Sequence, residues 1–339
     1  MTQRIRSLLK YLLSVFLTIL FLYLAFRGTD FHQLFRSLAS AQYSWIGLYV
    51  VILLVSHLLR AWRWRYLLDP IKSGIGIRNL FSGVMIGYLM NNVLPRAGEL
   101  VRPYSLAKQE SIPRSSALGT IVVERILDTI SFLVLLLILP IVYIGPLNET
   151  FPWLGKAGLI VSLVTGAVLA FMSVLVFRRA ILDVILTWLS RILPARLSTR
   201  VEGIAHAFVD GFLFIKRPGS FAAILVLSIL VWLCYVVMTY VGFFAFDLKP
   251  MLGVRAAIVV LTISSIGIAV PTPGATGTYH FFVSQTLVRL FALSDSVALS
   301  YATVTHAAAF VSSTVVGLYY LLHDHVTVAD AVVKSQESA

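Results

Sequence analysis

Residues 87–128 read GYLMNNVLPRAGELVRPYSLAKQESIPRSSALGTIVVERILD, and this stretch decides the fold. An apolar run reaches Val93 and Leu94, breaks at Pro95 and Gly98, and resumes as a short segment carrying Glu99 and Arg102. A long apolar helix predicted from about residue 117 then holds Glu124, Arg125 and Asp128 among Ile, Val and Leu. At the centre of a bilayer an Arg or Asp costs about 2.5–3.5 kcal/mol on insertion scales. Irregular backbone at that depth survives only where it is buried in protein or lines a wet cavity. Broken helix and charges together predict a polar site inside a membrane domain.

The rest of the chain agrees. Of 339 residues, 59% are hydrophobic and 12% charged, mean hydropathy is +0.90, and several apolar runs reach the roughly 20 residues that cross a bilayer. The net charge of +12 is no sign of nucleic acid: the basic residues cluster beside the apolar runs, as the positive-inside rule requires. Cys234 is the only cysteine, so there is neither a disulfide framework nor a zinc-ligand pair. Arg4, Arg6 and Lys10 precede the first run with no small-residue cleavage site after it, which predicts a retained signal anchor. No soluble catalytic domain is visible at either end.

Full spans are predicted at about 8–26, 45–62, 117–144, 157–177, 221–246 and 297–322. Loop charges put both termini in the cytoplasm, with Arg60, Arg63 and Arg65 closing the second span on that side. Segments 80–94 and 99–108 reach only about 22 Å and 15 Å against a core of about 30 Å. Reading the first as a span would leave Arg96, Arg102, Lys108 and Arg114 outside, so a re-entrant hairpin is expected. Residues 256–270 and 279–293, separated by PTPGATG, form a second. Between them, residues 178–218 carry two amphipathic patterns expected to lie on the cytoplasmic leaflet: Ile181, Leu182, Ile185, Trp188, Leu189 and Ile192, then Val201, Ile204, Ala205, Phe208 and Phe212. The order span, hairpin, span recurs at 45–144 and 221–322 in opposite orientations. The expected fold is thus all-α and polytopic, one membrane domain over 1–339, with six full spans and two opposed re-entrant hairpins forming an inverted repeat.

The helix breaks rest on Pro95, Gly98, Pro271, Pro273, Gly274 and Gly277, since proline removes a donor and glycine permits a tight reversal. Glu124 and Asp128 are four apart and share a helical face, with Arg125 adjacent. Arg96, Glu99, Arg102, Glu124, Arg125 and Asp128 are the candidate substrate-binding residues. Ion pairs such as Glu99–Arg125 or Arg102–Asp128 are the structural alternative, but surplus arginine suits a lipid phosphate, which guanidinium grips in bidentate fashion. His280 and His306 are candidates for proton coupling, and Gln285 is the other polar residue of the second unit. His57 reads as a histidine that hydrogen-bonds a neighbour. No Gly-x-Ser-x-Gly, His-Glu-x-x-His or Walker sequence occurs, so no catalytic residue, metal or cofactor is assigned.

With these residues in view, the chain resembles the flippase-like family known as the lysylphosphatidylglycerol synthase transmembrane region. The resemblance runs over nearly the full length. It is carried by Leu94-Pro95-Arg96-Ala97-Gly98-Glu99 with Arg102, by Glu124-Arg125 with Asp128, and by residues 271–277. In two-part lipid aminoacylating enzymes, a similar region is associated with moving the modified lipid between leaflets, while a separate cytosolic domain makes it. The resemblance therefore implies translocation without synthesis. The sequence departs from the pattern at Pro273-Gly274-Ala275, where Pro-Gly-Gly is usual, and at His280, where Glu is frequent. The expected function is an inner-membrane translocase for an anionic phospholipid or polyprenyl-phosphate lipid. The alternatives are a membrane-embedded head-group transferase and a non-catalytic partner of a lipid-modifying enzyme.

Overall fold

The computed structural model describes residues 3–143, 147–192, 194, 198–199, 201–203, 205, 218–248 and 250–324. Among them regular structure is helical throughout, with no strand. In chain order the helices are α1 (Gln3–Phe26), α2 (Phe31–Ser40), α3 (Tyr43–Leu68), α4 (Ile77–Val93), α5 (Gly98–Glu110), α6 (Arg114–Val142), the single turn α7 (Leu147–Thr150), α8 (Leu154–Phe177) and α9 (Arg179–Ser190). After these come α10 (Pro218–Ala245), α11 (Val254–Ala269), α12 (Thr278–Phe291) and α13 (Asp295–His323). Four of them, α3, α6, α10 and α13, are long and apolar enough to cross a membrane. A fifth span results if α1 and α2 are counted together across their 90° bend. Exposed Leu137, Ile141, Ile229 and Leu322 line the outside of these helices, as a lipid-facing surface requires.

The bend is written locally. Gly28 adopts φ 83°, and Asp30 then caps α2 by accepting from the amides of His32 and Gln33. α2 lies outside the expected spans, yet an Asp cap followed by Phe31, Leu34, Phe35 and Leu38 is a helix signature. Leu34 packs with Ala25 and Leu299, fastening α2 to α13.

At the centre, α3 and α10 lie antiparallel along their length. The Gln42 amide donates to the Ala245 carbonyl at one end, Trp45 packs on Phe244, and Arg63 reaches Ser228 towards the other. The two predicted breaks separate helices that fold back on each other. In the first, Gly83 and Gly87 of α4 face Arg102 and Gly98 of α5. A Cβ on Gly98 would sit 2.0 Å from the Gly87 carbonyl, so the backbones touch. The Gly98 amide is met by Asn91 Oδ1 at 2.8 Å, which closes the reversal. In the second, Gly267 of α11 lies against Phe282 and the Thr278 carbonyl of α12.

Contacts between the units mirror one another: α4 packs on α13, and α11 packs on α6. Two apolar cores stand out among the described residues. One gathers Trp64, Leu67, Leu80, Leu106 and Ile121; the other gathers Phe243, Val260, Leu287, Ala298 and Tyr301. The amphipathic pattern at 178–192 is realised as α9, whose Leu182 is buried against the first core while Trp188 stays exposed. Phe208 and Phe212 of the second pattern lie outside the described residues.

Candidate functional site

Arg60 and Arg63 do not lie in a loop: α3 continues to Leu68, and both side chains are buried, Arg63 completely. They turn inward onto the carboxylates of α6. Arg60 Nη1 donates to Glu124 Oε1 at 2.8 Å and Nη2 to Asp128 Oδ2 at 2.9 Å. Arg63 Nη2 donates to Asp128 Oδ1 at 2.7 Å, and its Nη1 to Ser228 of α10 at 3.0 Å. Arg102 of α5 donates to Glu124 Oε1 at 2.9 Å while its guanidinium stacks 4.0 Å from the Trp64 ring. Arg125 Nη2 bridges Glu124 and Asp128 at 3.1 and 3.0 Å. Tyr235 of α10 accepts from Arg60 Nε at 2.7 Å.

Four guanidiniums thus surround two carboxylates, a surplus of two positive charges among apolar helices. Nε of Arg63, Arg102 and Arg125 is buried without a hydrogen-bond partner. Glu124 is fully buried, whereas the Arg125 side chain is 43% exposed and is the open edge of the group. A buried ionic group is a weak source of stability compared with apolar packing. A surplus of one sign with unused donors is what an anion-binding group needs.

The ion pairs differ from those considered from the sequence, because Arg102 meets Glu124 rather than Asp128. Arg96 and Glu99 are not brought into the group. Arg96, in the left-handed region at φ 61°, is exposed and donates to the Ala269 carbonyl at the end of α11. Glu99 is half-buried and forms no ion pair among the described residues. The reason is geometric: both belong to the turn and first residues of the hairpin, while Arg102 lies one turn further along α5, level with Gly87.

The second break reaches the first. Gly274, at φ 54°, lies against Asn92 Oδ1, and Asn92 itself donates to Thr314 Oγ1 at 2.9 Å on α13. His306 Nε2 lies 2.8 Å from the Gly274 carbonyl, and its ring is 4.7 Å from that of His280. The predicted pair is therefore adjacent. Pro271 accepts from Ser14, and Gly277, at φ 85°, backs onto the Thr18 carbonyl, so α1 braces this break. Gln285 pairs with Arg289 along α12, away from the histidines. His57 has no hydrogen-bond partner at either ring nitrogen, against expectation, and stacks on Tyr88. What the sequence concealed was Arg60, Arg63, Tyr235 and Ser228. A signal did exist: Arg60 and Arg63 are three apart, hence on one face of a helix that has no reason to end at residue 62.

The model of the lysylphosphatidylglycerol synthase transmembrane region matches residues 9–317. A UPF0104 membrane protein of Methanothermobacter thermautotrophicus is 29% identical over 227 residues, 63% of this chain and 66% of that one. A second UPF0104 membrane protein, from Methanocaldococcus jannaschii, is 39% identical over 88 residues, 25% and 26% of the two chains. The glycosyltransferase AglD of Haloferax volcanii is 24% identical over 96% of this chain and 56% of its own length. The chain thus spans only part of the curated relatives it matches. No solved structure matches. With a match covering all of α3 to α12, the chain belongs to the lysylphosphatidylglycerol synthase transmembrane-region family.

Proposed function

We propose that the chain is a lipid translocase, carrying an anionic phospholipid or polyprenyl-phosphate-type lipid between the leaflets of a bacterial-type inner membrane. The observation that carries this reading is the buried group of four arginines and two carboxylates, with two positive charges in surplus. One phosphate entering beside Arg125 would use the idle guanidinium donors and reduce the surplus. Glu124 and Asp128 hold the guanidiniums apart and oriented. In this reading α4–α5 and α11–α12 are re-entrant hairpins of an inverted repeat with six full spans and both termini cytoplasmic. The matched packing of α4 on α13 and α11 on α6 supports that symmetry. Arg96 and Glu99 then belong to the hinge between hairpins rather than to phosphate capture, and His280 with His306 forms a polar step at the opposite break.

A second reading, a membrane-embedded head-group transferase or the partner of a separate lipid-modifying enzyme, draws on the named glycosyltransferase whose similarity covers 96% of this chain. One experiment separates them. Purified protein in proteoliposomes should equilibrate a fluorescent anionic phospholipid across the bilayer, with no change in its mass, and Arg125→Ala should abolish the effect. Covalent change of the head group would support the transferase instead. Neither movement nor chemistry, in folded protein, would leave the partner reading.

A further inference from the structure

His57 is 2% exposed, and neither Nδ1 nor Nε2 has a hydrogen-bond partner. Its ring lies 4.1 Å from that of Tyr88, tilted 32°. Arg60 follows three positions later, so both side chains leave the same face of α3. Arg60 and Arg102 are within electrostatic reach of the ring, and Gly87, next to Tyr88, touches Arg102. Tyr88 is half-buried, and Arg125, which shares Glu124 with Arg60 and Arg102, is the open edge of the arginine group.

A fully buried group with every hydrogen-bonding atom idle is costly, and an apolar side chain would fill the same space without that cost. Beside a surplus of two positive charges the ring is the neutral imidazole, with one N–H donor and one lone pair. A phosphate oxygen can satisfy only the N–H. The lone pair needs a donor, either a hydroxyl or an ammonium, and the surplus charge repels the ammonium. We infer that His57, with Tyr88 beneath it, is a specificity residue of the head-group site, selecting a phosphate ester whose other substituent carries uncharged hydroxyls and rejecting cationic head groups such as a lysyl ester. This rests on the reading of the arginine group as a phosphate site.

The test uses the full chain in phosphatidylcholine nanodiscs at pH 7.5, titrated with three probes and read by native mass spectrometry. Phosphatidylglycerol has a phosphodiester and free hydroxyls. Phosphatidylethanol has the same charge without hydroxyls, and lysylphosphatidylglycerol adds a cation. Phosphatidylglycerol should bind about tenfold tighter than phosphatidylethanol, the equivalent of one or two hydrogen bonds, and lysylphosphatidylglycerol no better than phosphatidylethanol. His57→Leu should lower phosphatidylglycerol to the phosphatidylethanol level, while His57→Gln, which keeps a donor and an acceptor, should restore the preference. Equal binding of the two phosphodiesters by the unaltered protein, or a preference surviving in folded His57→Leu, overturns the role of His57 alone. Lysylphosphatidylglycerol binding as tightly as phosphatidylglycerol overturns the charge rule. If no probe binds above the phosphatidylcholine background, the phosphate-site reading falls as well.

Discussion

The Arg96 guanidinium donates to the Ala269 carbonyl over 3.0 Å, so the break of one hairpin satisfies a helix end in the other. The last carbonyls of a helix lack intrahelical partners and sit at the negative end of its dipole, where a cation is favourable. Arg96 makes this contact from the left-handed region, which costs a non-glycine residue about 1–2 kcal/mol. Two substitutions separate backbone from side chain. Arg96→Ala removes the link and keeps the strain; Arg96→Gly removes the link and relieves it. Thermal unfolding should find Arg96→Gly the more stable by about 1 kcal/mol, while both lose lipid translocation. Normal transport by either variant would show that the link between the breaks is dispensable.

Within the arginine group, burial predicts two different outcomes. Arg63 is wholly buried between Asp128 and Ser228, so Arg63→Ala leaves a buried gap and takes one of three guanidiniums from Asp128, at a cost of about 1–3 kcal/mol. The expected result is a lower melting temperature, and adding Asp128→Asn should lower it further, because that change also unpairs Arg60 and Arg125. Arg125 is 43% exposed. Arg125→Ala should therefore keep expression and melting temperature close to normal while lowering translocation at least tenfold, and Arg125→Lys should restore only part of it because an ammonium lacks the bidentate fork. Full activity in Arg125→Ala would remove this residue from the transport path.

Gly98 has no space for a side chain, since its Cβ would lie 2.0 Å from the Gly87 carbonyl, backbone against backbone. Gly98→Ala should separate α4 from α5 and abolish folded protein on size-exclusion chromatography. Gly166, exposed in the middle of α8 with nothing within 4 Å, is the control. Gly166→Ala should be neutral or stabilising by up to about 1 kcal/mol, because alanine is the better helix former. Similar behaviour of the two variants would contradict the close hairpin.

Topology gives a further check. Lys108 and Arg114 are exposed at the α5–α6 junction, and Asp295 is exposed at the start of α13. With Cys234 replaced, single cysteines at the first two positions should react with an impermeant thiol reagent only from the cytoplasm, and one at Asp295 only from outside. Outside labelling at Arg114 would make α4 a full crossing and end the inverted-repeat reading.

The end of α13 is fastened to the first hairpin by Asp324, which accepts from Arg78 Nη2 at 2.9 Å and from the Ser82 hydroxyl. Burial raises this carboxyl, but the bonds from Ser82 and Arg78 and the Arg78 charge outweigh it and hold it below the usual range. A depressed folded value gives stability that is present above the unfolded carboxyl value, near 3.9. It is lost as pH falls through the folded one. Melting temperature should thus show no pH dependence from this group between about pH 5 and 8, where its contribution is fully present. Asp324→Asn should be less stable than the parent at pH 7, with the gap closing only below about pH 4. A gap that persists undiminished at pH 3 would place the effect in packing.

The sequence by itself determined the membrane class, the two helix breaks, and the lengths of α4, α5, α11 and α12 to within a few residues. Hydropathy, proline and glycine act locally, and a run too short to cross a bilayer is short whatever surrounds it. It also gave Glu124, Arg125 and Asp128 as one face, because helical spacing is local too. The partners of that face were decided only by the tertiary structure. Charge alone could not tell Arg60 and Arg63, facing inward, from a basic membrane border, since the positive-inside rule counts arginines without knowing which way a helix turns them. Arg96 and Glu99 left the group for the same reason: neighbours in sequence at a hairpin tip diverge in space, whereas Arg60, Ser228 and Tyr235, remote in sequence, converge where α3 and α10 lie antiparallel.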